Sequence, residues 1–272
     1  VLSALLLYGL LELDFEIRPR NVAAILVSAQ LAQWTLTRLF RLPRFDPRSA
    51  LISSLSLCLL LRTHSLALAA RAALTIASKF LIRAPSRRTG GKHVFNPANF
   101  GLVTMMLLAD GAWVSPGQWG SAAFAGFLVA CLGGLVVHRA ERSDVTWAFV
   151  IAYAALLFGR AAWLGDPLAI PLHQLENGAF LIFAFFMISD PKTTPDSRPG
   201  RILYAAVVAS VAVAIQFGLY QPNALIWALA ACAPLVPLAD RLLPGARYRW
   251  ARPAAEPPKT PLLPAPLSTE AA

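Results

Sequence analysis

Two stretches of this chain gather residues that can do chemistry. The first runs S-K-F-L-I-R from Ser78 to Arg83 and resumes as G-K-H-V-F-N-P-A-N-F-G from Gly91 to Gly101. Asn96 followed by Pro97 is a helix-start signal: the asparagine oxygen accepts from orphan backbone N–H groups, and proline suits the first helical turn. Flanked by Lys92 and His93, such a start suits a phosphate or an electron-rich ring oxygen, because exposed N–H groups and the helix dipole both favour negative charge. The same residues also read as a plain capped helix beside charges that set membrane orientation. The second stretch is F-F-M-I-S-D-P-K-T-T-P-D-S-R-P-G-R, from Phe185 to Arg201. Asp190 stands where an apolar run ends, and an ionisable residue at such a depth is a functional candidate by default. A turn in which Asp190 pairs with a local cation is the alternative, and Lys192, Arg198 and Arg201 are near. Thr194-Pro195 repeats the cap-plus-proline signal.

Other reactive side chains are scattered. His64, His93 and His173 are too far apart in sequence for a metal site, and Cys58, Cys131 and Cys232 each lie alone within an apolar run. No C-x-x-C pair offers a zinc or iron–sulfur site, and no G-x-S-x-G, Walker or Rossmann signature occurs. Arg71 falls inside an apolar run, where it must pair or snorkel rather than face lipid. No complete active site is legible on this chain.

The elements that must hold these residues follow from composition. Of 272 residues, 57% are hydrophobic and 14% charged, and the mean hydropathy is +0.58; soluble domains carry roughly 25% charge. Apolar runs recur at about the length of hydrocarbon-spanning helices. These figures exclude a water-soluble globular enzyme, a disordered chain and a disulfide scaffold. The net charge of +10 sits in short loops between apolar runs, as the positive-inside rule requires. Aromatic platforms among the basic residues are missing, so no nucleic-acid partner is expected.

The pattern predicts an all-α polytopic membrane protein with about ten segments. They are Leu2 to Leu13, Asn21 to Phe40, a short Ser49 to Leu61, Ser65 to Ile82, a short Asn96 to Leu108, Gln118 to Val137, Val145 to Trp163, a short Gly178 to Ser189, Ile202 to Tyr220 and Ala224 to Leu238. The opening run lacks the basic flank and cleavage site of a signal peptide. With both termini cytoplasmic, the inside loops hold Arg38, Arg41, Arg44 and Arg48, then Lys79 to Lys92, Arg139 and Arg142, and Lys192 to Arg201; outside remain only Arg18, Arg20, Arg62 and Arg160. Ten segments divide as five plus five about a neutral loop near Gly117, which predicts two inverted repeats, about 1–110 and 118–240, with half-helices near the midplane. Residues 1–250 thus form one transmembrane domain, and the Pro/Ala-rich 251–272 reads as a disordered cytoplasmic tail.

The motifs S-K-F-L-I-R…F-N-P-A-N-F-G and S-D-P-K-T-T-P resemble the paired motifs of the NqrB/RnfD family, the flavin-carrying membrane subunits of sodium-translocating NADH:quinone reductase and the Rnf complex. Within it the chain looks most like a short branch found with enediyne biosynthesis genes, the UnbU-like proteins. The resemblance runs from Val1 to about Trp250. It implies ten helices in two inverted halves and electron transfer through flavin, coupled to ion movement with other membrane subunits in a bacterial inner membrane. By motif match, Lys79, Asn96, Pro97, Asn99 and Gly101 would line one side of a flavin or quinone region, and Asp190, Pro191, Thr193 and Thr194 the other. The family's best-known FMN is esterified to a threonine in an S-G-A-T-like motif after the fifth helix. Here that loop reads Asp110-Gly111-Ala112-Trp113, and tryptophan has no hydroxyl to esterify. FMN or riboflavin is therefore expected non-covalently, without covalent FMN. A transporter or channel on the same scaffold, tied to natural-product biosynthesis or export, is the competing reading.

Overall fold

Inside a bilayer no water completes backbone hydrogen bonds, so apolar runs must pair their N–H and C=O groups within the segment, as helices do. The computed structural model describes residues 2–11, 18–71, 73–84, 92–114 and 132–248, without the side chain of residue 74. Most of the sixth run and the Pro/Ala-rich tail lie outside them.

The first half comprises α1 (Leu2–Leu11), α2 (Pro19–Leu39), α3 (Pro47–Leu60), β1 (Leu61–Thr63), α4 (Leu66–Ala70), α5 (Ala73–Leu81), β2 (Arg83–Ala84), β3 (Lys92–His93), α6 (Pro97–Leu108) and β4 (Ala112–Val114). The second comprises α7 (residues 132–139), α8 (Ser143–Leu164), α9 (Ala169–Leu175), α10 (Gly178–Ile182), α11 (Arg198–Val213), α12 (Ala224–Cys232) and α13 (Leu235–Leu242). Helix α10 continues into a π-helical turn at Phe183–Met187, and α11 into another at Ala214–Gly218.

The chain is mostly helical, as the pattern predicts, with four short strands among the described residues, and two of the expected runs are corrected. β1 pairs antiparallel with β4, Arg62 facing Trp113, and β2 with β3, Arg83 facing His93. The fourth run is two helices, α4 and α5, parted at Arg71, where the guanidinium needs an outlet from the apolar surroundings. The tenth run bends by 51° between α12 and α13. Among the described residues, α8 and residues 198–218 are long and apolar enough to cross a membrane, and the bent α12–α13 pair makes a third if it is one span.

α2 is built inside out. Its buried face carries Asn21, Gln33 and Thr37 beside Ile25 and Ala29, while Val27, Leu31 and Trp34 are exposed. Polar residues facing neighbouring helices and apolar ones facing outward is the arrangement lipid favours. In the second half α8 packs along α11, with Phe149, Tyr153 and Leu157 buried on one helix and Val208, Ala209 and Ala212 on the other. Phe180 and Phe183 extend this core through ring contacts at 5.1–6.0 Å from Phe149. Buried Arg62 closes α3, donating to the carbonyls of Cys58, Leu59 and Leu61, groups a helix C-terminus leaves without partners.

Candidate functional site

Helix α6 begins as the sequence signal requires. The Asn96 Oδ1 accepts from the Asn99 backbone N–H at 3.1 Å, and Pro97 occupies the first turn. The Asn96 amide Nδ2 points away from its own helix. It donates to the Met187 carbonyl at 3.2 Å and to the Asp190 carboxylate at 3.4 Å. One asparagine therefore caps α6 and ties it to the loop after α10, more than ninety positions along the chain.

The rest of the first motif is held from other directions. Asn99 is 1% exposed, and its Nδ2 donates to the Ile226 carbonyl of α12 at 2.9 Å. Gly101 faces Thr75 of α5 so closely that any Cβ would fall on the Thr75 hydroxyl; glycine is needed there for helix approach. Lys79 is buried, its ammonium donating to the carbonyl and hydroxyl of Ser49 in the first turn of α3 at 2.8 and 3.1 Å. Lys79 thus fastens α5 to α3 within electrostatic reach of Asp190, without a bond to it.

The second motif is a self-bonded turn. The Asp190 carbonyl accepts from the backbone N–H groups of Thr193 and Thr194 at 3.1 and 3.2 Å and from both hydroxyls. Its carboxylate accepts from the Lys192 N–H at 3.0 Å. Thr194 also accepts from the Arg142 guanidinium at 3.2 Å, and that guanidinium stacks over Tyr248, 4.9 Å from the ring centre. Pro191 borders a cavity of about 190 Å³ shared with Arg83, Lys92, His93 and Lys192. The structure brings Asn96 and Asp190 together. Asn99, Gly101 and Lys79 instead face α12, α5 and α3.

Ion pairs lock the surrounding loops. Lys92 bridges Asp196 at 2.9 Å and Asp240 at 2.8 Å, and Arg201 grips Asp144 with Nε 2.9 Å from both oxygens. His93 is held as a neutral ring, its pKa lowered to about 4 by burial first, then by Lys192, Arg83 and Lys79. A second, mostly apolar cavity of about 440 Å³ lies beside the α4–α5 break, bordered by Arg71, Thr104, Met105 and Leu108. Trp113 sits in β4 with its ring 5.2 Å from that of His64. Among the described residues no cluster of His, Cys, Asp or Glu could hold a metal ion.

Sequence reasoning missed Thr75, Ser49 and Asp240, and it took Arg142 only for an orientation charge. A buried Arg–Thr contact across 52 positions leaves no periodic trace. The closest available signal was Arg142 standing directly before the α8 helix start.

A mostly helical chain, inside-out at α2 and with its two short-helix motifs joined through Asn96, defines an integral membrane protein. Residues 20–249 match the model of the NQR2, RnfD, RnfE family, and the chain belongs to that family. It is 33% identical over 110 residues to the D subunit of the ion-translocating oxidoreductase complex of Psychromonas ingrahamii, covering 40% of this chain and 31% of the relative. The protein of the same name from Alcanivorax borkumensis is 37% identical over 95 residues, covering 34% and 25%. That from Citrobacter koseri is 30% identical over 137 residues, covering 49% and 36%. The chain matches about a third of the length of these curated relatives.

Proposed function

We propose that this chain is a membrane subunit of an Rnf/Nqr-like, ion-translocating electron-transport complex that holds flavin or quinone non-covalently. The observation that carries the reading is the Asn96 bridge, which joins the two family motif loops at Met187 and Asp190. Its natural setting is the bacterial inner membrane with both termini cytoplasmic, where ten segments in two inverted halves account for the loop charges. Other membrane subunits complete the electron path, since no complete active site is legible on this chain.

Asn99 Oδ1 and Thr75 Oγ1 are buried polar atoms without a partner among the described residues, an acceptor and a hydroxyl of the kind that pair with the N–H and C=O groups of an isoalloxazine edge. Thr75 packs directly against Gly101, so a ring would reach it only with a shift of α5 against α6. When bound, flavin supplies the one- and two-electron chemistry that the protein lacks. A separate cavity of about 440 Å³ beside α5 and α6, bordered by Arg71, Thr104 and Met105 rather than by the motif residues, falls within the range of small-molecule sites, roughly 300–1,000 Å³. The test is the visible spectrum of the purified protein before and after dithionite. Absorbance that bleaches on reduction supports the reading, and a colourless, quinone-free protein contradicts it.

The competing reading is a transporter or channel on the same scaffold, within the enediyne-associated, UnbU-like branch and linked to natural-product export. Trp113 at the position of the family's attachment threonine favours it. Genes for other electron-transport subunits beside this one would weigh against it, and substrate-dependent flux by the chain alone would establish it.

A further inference from the structure

The 190 Å³ cavity bordered by Pro191 is smaller than a flavin site and opposite in character to the apolar one. It lies between the paired strands β2 and β3 of the first half, the loop after α10 and the segment leading to Tyr248, on the side that the loop charges mark as cytoplasmic. Arg83 and Lys192 line it with exposed side chains, and neither makes a side-chain ion pair among the described residues. Lys92 is pinned by Asp196 and Asp240, which uses two of its three N–H donors and leaves the third. Among the described residues His93 Nδ1 is buried without a partner, where a hydroxyl of a bound group can donate to it. Even counting Asp196 and Asp240 against Arg83, Lys92, Lys192 and Arg247, positive charge prevails. That excess is also felt by His93, which its cationic neighbours help to hold neutral.

We propose that this cavity is an anion site for a phosphate-bearing group, gripped by Arg83 from the first half and Lys192 from the second, with Lys92 and His93 at its base. The volume suits a phosphate with a small polar substituent. A charged guanidinium and two ammonium groups converging on one space is the donor set that phosphate oxygens satisfy with short, charge-assisted bonds. The group is either the headgroup of an anionic phospholipid or a soluble phosphate. The site does not depend on the redox reading, because a transporter on this scaffold would hold the same ligand.

The test uses the full chain, as wild type, as the R83Q/K192Q double variant and as the R41Q/R44Q control, which removes two exposed cations from a loop outside the cavity. In one arm, each protein is released from nanodiscs of phosphatidylcholine with a minority of phosphatidylglycerol, and native mass spectrometry reads the retained lipid. In the other, inorganic phosphate is titrated calorimetrically into protein in a neutral detergent. The expected result is binding of at least one probe by wild type and control, weakened roughly tenfold or more in the double variant. Retained phosphatidylglycerol assigns a lipid headgroup, and bound inorganic phosphate a soluble ligand. Failure of wild type to bind either probe, equal binding by the double variant, or an equal loss in the control would overturn the proposal; the last would reduce it to general surface charge.

Discussion

Asn96 and Asn99 direct their amides to carbonyls 91 and 127 positions away, whereas the loop after α10 is tied mainly to itself through the Asp190 carbonyl and carboxylate. The contrast extends to buried atoms without partners. Among the described residues Thr75 Oγ1, His93 Nδ1 and Asn99 Oδ1 belong to the first-half motif or its packing surface, others to Asn21, Gln30 and Gln33 of α2 and to Asn223, and none to the loop from Asp190 to Ser197. Buried polar groups are normally paired, and exceptions call for an explanation such as a ligand or water. The first-half motif therefore keeps open hydrogen-bonding capacity, and the second is a preformed turn that presents Asp190.

The largest expected effect strikes the first half. Gly101→Val places a branched side chain against Thr75 on the facing helix, and overpacking of this kind costs up to about 3 kcal/mol. Thermal unfolding in detergent should show the loss, and Thr75→Ala should restore part of it. Full stability in the single variant would break the close-approach account of α5 and α6. Next comes Asn96→Ala, which deletes a helix cap and the tie between the halves, for about 2 kcal/mol. A loss as small as that of an ordinary surface substitution would mean that the bridge is incidental.

A third effect is confined to acid. Exposed histidine titrates near 6.5, whereas the folded protein holds His93 at about 4. Between those values the unfolded chain takes up a proton that the folded chain refuses. The contribution of His93 is thus fully present above about pH 6.5 and is lost as pH falls towards 4. His93→Asn should flatten that part of the stability profile, and an unchanged slope would remove His93 from the argument. The smallest effect belongs to the second half. Asp190→Asn keeps an oxygen able to accept from the Lys192 N–H and loses only the 3.4 Å bond from Asn96 Nδ2, which still donates to the Met187 carbonyl, so unfolding should shift by less than about 1 kcal/mol. A larger shift would show that the carboxylate charge itself holds the turn, and would erase the contrast.

How much of this was legible in the sequence follows from the range of each interaction. Asn96-Pro97 announces α6 because a cap and a first-turn proline are local chemistry, and the α6 start falls where the signal placed it. The span of α8 is legible for the same reason: twenty-odd apolar residues have one comfortable state in lipid. The break at Arg71 was visible only as a misplaced charge, since nothing in a single run says whether it will snorkel or part the helix. The pairing of β1 with β4 joins residues some fifty positions apart and has no periodic signature in three-residue strands. Lys92 reads as one more orientation charge until Asp196 and Asp240 arrive from 104 and 148 positions away. The candidate site follows the same rule: its residues could be nominated by motif, but Thr75, Ser49 and the carbonyls of Met187 and Ile226 become neighbours only through helix packing.

The central claim, a redox subunit whose flavin is held without a covalent bond, is tested most directly by denaturing the purified protein and following the flavin. The account predicts an intact mass equal to that of the unmodified chain, with fluorescent flavin recovered in the supernatant. A flavin-sized mass increment surviving denaturation would contradict the non-covalent claim, and the absence of flavin and quinone from both fractions would contradict the redox claim itself.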